Sequence, residues 1–167
     1  MKAAAIATLA MIVSNANAAN DILSENQVLE LKESLKQYID KILWANFEYH
    51  YIGMNSHMTF LSKPYEPNNA FKHYIQPLWV SLHVIDEWYS DTALVDTEGL
   101  ANISKSVNSA KEYFDNKAHW CKKYAHASGH ADYVDIVKLY EDSYEEDASA
   151  IIKTISDYLD SAIGKTE

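Results

Sequence analysis

Residues 24–61, SENQVLELKESLKQYIDKILWANFEYHYIGMNSHMTFL, contain no proline and a single glycine, Gly53, and their reading decides the fold. Ser24 followed three residues later by Gln27 is a capping box, in which each residue satisfies an orphan amide of the other at a helix start. From there Val28, Leu31, Leu35, Tyr38 and Ile42 recur at spacings of three and four, the period of one apolar face of an α-helix. Past Leu43 the apolar positions broaden to Phe47, Tyr51, Met54, Met58 and Leu61, with His50 and His57 among them. That breadth predicts a helix end covered on several sides.

Three further helices are expected to pack on this one. Ser62 to Asn68 carries Pro64 and Pro67 and reads as a short connector. A second helix starts near Asn68 or Asn69, with Phe71, Ile75, Leu78, Leu82, Ile85 and Tyr89 as its core positions and a kink at Pro77. After a connector from Asp91 to Asp96, Thr97 caps a third helix with Gly99 in its weak first turn. Its seam is Leu100, Ile103, Val107, Ala110, Phe114, Cys121 and Ala125, and Ser128-Gly129 ends it. The fourth runs from Ala131 to Ile163 through Val134, Val137, Tyr140, Tyr144, Ile151, Ile155 and Tyr158, stopping at Gly164. No segment reads as a strand. Short connectors between long helices make neighbours antiparallel, so the expected fold is all-α, a single-domain up-down-up-down four-helix bundle over residues 19–167.

Ahead of it, Met1-Lys2, an apolar run from Ala3 to Val13 and the small-residue pattern Ala16-Asn17-Ala18 form a secretory signal peptide, residues 1–18, with cleavage expected after Ala18. The apolar run is too short to span a bilayer core of about 30 Å, and no later segment is long enough either, so stable membrane insertion is not expected. The mature chain is expected in the periplasm or secreted. One cysteine, Cys121, excludes an intramolecular disulfide, and its place on the seam predicts a small buried hydrophobe.

The formal charge is −10, with 24 acidic residues and no arginine. Phosphate backbones need a basic surface, and guanine edges are read best by a guanidinium fork, so nucleic acid is excluded as a partner. A basic protein fits this charge.

Chemistry-bearing patterns are few. His83 with Glu87, and His126 with His130, stand four apart and would share a helix face as metal ligands. The second pair straddles Gly129, and the column Lys105, Glu112, His119, His126 lies off the third helix's seam, so these histidines are expected to face water. Carboxylate-bridged diiron sites need Glu and His three apart, which occurs nowhere. Covalent haem needs two cysteines; noncovalent haem, through Met54 or Met58 with His83, is the weaker alternative to a cofactor-free protein. There is no Gly-x-Ser-x-Gly, no His-Glu-x-x-His and no phosphate-cradling glycine loop, so no enzyme is expected.

The unusual feature is 12 tyrosines and four tryptophans. Tyr49, Tyr51 and Trp79 are candidate aromatic anchors for a partner, and Glu141, Glu145 and Glu146, in an acidic run of the fourth helix, are candidate docking charges. The expectation is an exported binding protein, for example an inhibitor or immunity protein that occludes a basic toxin or cell-wall enzyme. A periplasmic metal- or haem-binding bundle is the alternative.

Overall fold

The computed structural model describes residues 22–55 and 67–164, apart from the side chains of Pro67 and Asn68. The expected signal peptide, most of the first connector, His57, Met58 and Leu61 lie outside the described residues. The chain forms a four-helix, all-α bundle: α1 is Glu25–Asn55, α3 is Thr97–Ala127 and α4 is Ala131–Gly164. Between the first and third, α2 is compound, with Pro67–Ala70 helical, a π turn at Phe71–Ile75 and an α-helix at Gln76–Tyr89. No strand occurs among the described residues.

Local chemistry explains most boundaries. The Ser24 amide donates to Gln27 Oε1 at 2.8 Å and the Gln27 amide to Ser24 Oγ at 3.3 Å, the reciprocal pair of a capping box. At α3 the cap is Asp96 rather than Thr97, because the Asp96 carboxylate accepts from the Gly99 amide. Its other end is a Schellman motif: Gly129 takes φ +80°, and the His130 amide reaches back to the Ala125 carbonyl at 2.9 Å.

In α2 the anomaly lies upstream of Pro77 instead of at it. Proline has no amide to donate, and its ring crowds the carbonyl four residues back, so the preceding turn widens. The Gln76 amide then bonds to the Phe71 carbonyl, five residues back. Across this turn the buried face steps five residues, from Ala70 to Ile75, and Phe71 is half-buried; further on Leu78, Ser81, Ile85 and Trp88 are buried, whereas Tyr89, expected in the core, is exposed and Leu82 only half-buried.

Contacts fix the directions. Lys41 pairs with Asp147 at 2.5 Å and Tyr51 meets Tyr133 at 6.4 Å, so α4 runs against α1. Lys111 with Glu145 and Lys122 with Glu141 set α3 against α4, and Tyr74 stacked on Tyr113 at 4.1 Å with Trp88 against Gly99 sets α2 against α3. The first half of α1 is buried as its spacing predicts, from Val28 through Ile42, as is the whole α3 seam, Cys121 included.

At the centre the core turns aromatic. The hydroxyls of Tyr49 and Tyr144 lie 3.1 Å apart, with Phe114 tilted against both rings. Near the bundle's other end Gly99 lets α3 approach the Trp88 indole. A Cβ there would sit 2.6 Å from Trp88 Cζ2 and 2.9 Å from the capping carboxylate. Gly99→Ala is therefore expected to lower stability by about 1–3 kcal/mol, despite alanine's better helix propensity, because indole and cap must both shift. A urea titration reads this directly, and a neutral or stabilising result would contradict the close approach.

Candidate functional site

The outer face of α1 changes character halfway along. Seven-residue steps place Glu33, Asp40, Phe47 and Met54 in one column and Gln37, Trp44 and Tyr51 in the next, both pointing away from the buried stripe. All seven are exposed. The first half of this face is thus acidic and polar, with Glu30 preceding it. The second half is apolar: Trp44 is 63 % exposed, Phe47 58 %, Tyr51 57 % and Met54 59 %.

This corrects the expectation of a helix end covered on several sides. The buried stripe continues through Ala45, Tyr49 and Ile52 on its original period, so Phe47, Tyr51 and Met54 add width that no described helix covers. Trp44 and Phe47 touch, ring centroids 6.3 Å apart. Tyr51 leans edge-on against Tyr133 of α4, which extends the row sideways onto a second helix. Loss of hydration at this contact, and next the adjacent Tyr51, hold the Tyr133 phenol above the ordinary tyrosine value.

The sequence-selected anchors divide. Tyr51 belongs to this row. Tyr49 is buried, bonded to Tyr144, and is removed as a surface anchor. Trp79 is 46 % exposed but stands on α2, edge-on to Phe71 at 5.3 Å. The acidic residues divide too. Glu141 is bound to Lys122 at 2.6 Å and Glu145, though exposed, lies 3.6 Å from Lys111, so both are engaged along the α3–α4 seam, while Glu146 is exposed. The carboxylates nearest the aromatic row in sequence are instead Asp40, one turn before Trp44, and Glu48 within it. Sequence reading missed Trp44, Phe47 and Met54 as a surface, although the columns Glu33–Asp40–Phe47–Met54 and Gln37–Trp44–Tyr51 carried the signal.

The histidine pairs are separated or open. His83 Nε2 is 3.7 Å from Glu87 Oε1 on an exposed turn of α2. His126 is exposed in the last turn of α3, and His130, beyond the Schellman turn, stacks on Tyr133 at 5.0 Å. Among the described residues no three His, Cys, Asp or Glu side chains gather as a ligand set. The one thiol is an unreactive group: burial pushes Cys121 up to about 12, and its Sγ faces the Tyr49 carbonyl at 3.8 Å.

No described helix is long and apolar enough to cross a membrane. Comparison of the chain with protein families, curated proteins and solved structures gives no match.

Proposed function

We propose that the mature chain is an exported, non-enzymatic binding protein, an inhibitor or immunity protein that occludes a basic protein with the outer face of α1. One observation carries this reading: along a single solvent-facing surface, acids give way to four exposed apolar side chains, two of them rings in contact. Exposed aromatics of this size in one row are costly to leave in water, and Trp and Tyr are the side chains that most often anchor interfaces. The adjoining Glu30, Glu33 and Asp40, on a chain of charge −10, favour a cationic partner and would speed encounter, while the aromatics would slow dissociation.

Export is part of the proposal and rests on the leader. Residues 1–18 fused to a reporter are expected to direct it out of the cytoplasm and be removed after Ala18, which N-terminal sequencing reads; an intact leader on exported reporter would contradict it.

The binding reading is tested by placing a photoreactive side chain at Phe47, with Leu139, 71 % exposed on α4, as the control position. The expected result is one dominant basic adduct from position 47, competed by the unmodified protein and not by a Trp44→Ala, Tyr51→Ala double variant. Equal adducts from both positions, or an acidic adduct, would contradict it.

A further inference from the structure

We infer that the groove between α2 and α3 is a second, separate site, one that takes a single-chain aliphatic carboxylate. The groove exists because of what α3 presents to α2. Gly99 and Ser106 line it beside Asn102, and the two small residues leave the space a leucine or phenylalanine would fill. The opposing wall is apolar, made by Pro77, Val80 and Val84, with Ile103 below, around a volume of about 470 Å³. Pockets of this size hold small ligands. Ser81 adds no unsatisfied polar group to the floor, since its hydroxyl donates back to the Pro77 carbonyl at 3.1 Å. Gln76 and Asn102 also line the groove, but both are exposed, so their amides can stay hydrated beside an aliphatic chain.

The charge in the groove's lining comes from one end. Because α2 and α3 are antiparallel, with Trp88 at Gly99 and Tyr74 at Tyr113, Lys72 lies at the end away from Gly99. Lys72 enters none of the ion pairs among the described residues, although the chain has 24 acidic residues. A lysine at the end of an apolar trough complements an anion joined to a chain. From Lys72 to Val84 α2 spans about 18 Å at the helical rise per residue, and α3 faces it from Gly99 to Ser106 over about 10 Å, room for a medium-length acyl tail with its head at the lysine. A carboxylate rather than an amine or alcohol is selected by that single charge.

The site owes nothing to the α1 face, and its test is independent of any protein partner. Decanoate, decanol and decylamine, below their micellar concentrations, are titrated into the methyl-labelled mature protein. Decanoate is expected to shift the methyls of Val80, Val84 and Ile103 and to bind about tenfold tighter than decanol, the equivalent of one modest charge-assisted contact. Lys72→Gln should bring decanoate to within about twofold of decanol. Ser106→Leu should fill the groove and abolish binding of all three. Should that variant not fold, Val80→Glu at the exposed rim should weaken decanoate selectively, with decylamine unaffected or improved. Absence of decanoate binding, equal affinity for the three heads, unchanged binding by Ser106→Leu and Val80→Glu, or shifts mapping to the Trp44–Met54 row would each overturn the inference.

Discussion

Leu35→Asp is expected to cost about 4 kcal/mol or more, a large part of the whole stability margin of an ordinary domain. Leu35 has no exposed surface and sits midway along the buried stripe of α1. The substitution removes a buried aliphatic side chain, worth about 2–5 kcal/mol with the cavity it leaves. It then places a carboxylate where no described lysine pairs, and a buried charge without a partner is disfavoured still more strongly. The chain's escape is to protonate that carboxyl or to open the helix pair, and both show in a melt. Circular dichroism at neutral pH should find the cooperative transition lowered steeply or lost. A loss of only a few tenths would mean that α1 does not pack on this face.

The second large effect is alkaline. Tyr38, Tyr49 and Tyr144 are buried in the bundle's centre, and burial, which penalises the phenolate, raises all three far above the ordinary tyrosine value of 10.0. In the unfolded chain they ionise near that value, so above it the unfolded state releases protons that the folded state keeps. The stability they contribute is fully present below about pH 10 and is lost as pH rises toward their folded values. Each tyrosine then removes about 1.4 kcal/mol per pH unit, so the three together give a slope near 4 kcal/mol per unit. Cys121, raised from 9.0 to about 12 by burial, starts the decline slightly earlier. Urea midpoints measured at rising pH should be level near neutrality and fall steeply beyond pH 10. Tyr38→Phe should flatten that slope by about 1.4 kcal/mol per unit. Because the Tyr38 hydroxyl has no hydrogen-bond partner among the described residues, this variant should also keep or slightly gain stability at neutral pH. A flat profile through pH 11 would contradict the buried cluster.

Periodicity was enough to read the bundle. The capping box at Ser24, the Schellman glycine at Gly129 and the seam from Leu100 to Ala125 depend on local chemistry and a single repeat, and they stand where their residues place them. Two features needed three dimensions. The π turn before Pro77 makes the buried face step five residues, from Ala70 to Ile75, so that Ala70 is buried and Phe71 only half so, which no spacing rule for an unbroken helix anticipates. Beyond it, spacings of three and four from Ile85 allow Trp88 or Tyr89, and the fold buries Trp88 against Gly99. On α1, Tyr49 and Tyr51 are the same residue type two positions apart, yet one bonds to Tyr144 and the other faces water. Composition cannot separate them; continuing the stripe of Val28 to Ile42 by strict period can. The acidic run of α4 misled for a related reason. A charge run reads as one surface in sequence, while on a helix Glu141 and Glu145 turn toward the lysines of α3.

The central claim, that the exposed half of α1 is a binding face, is tested most directly by the dissociation rate of the captured basic partner from Trp44→Ala. If Trp44 is the anchor, truncating it should cost about 2 kcal/mol, seen as roughly thirtyfold faster dissociation with little change in association, while Leu139→Ala, on the exposed face of α4, should change neither rate. Equal dissociation from wild type and Trp44→Ala would contradict it.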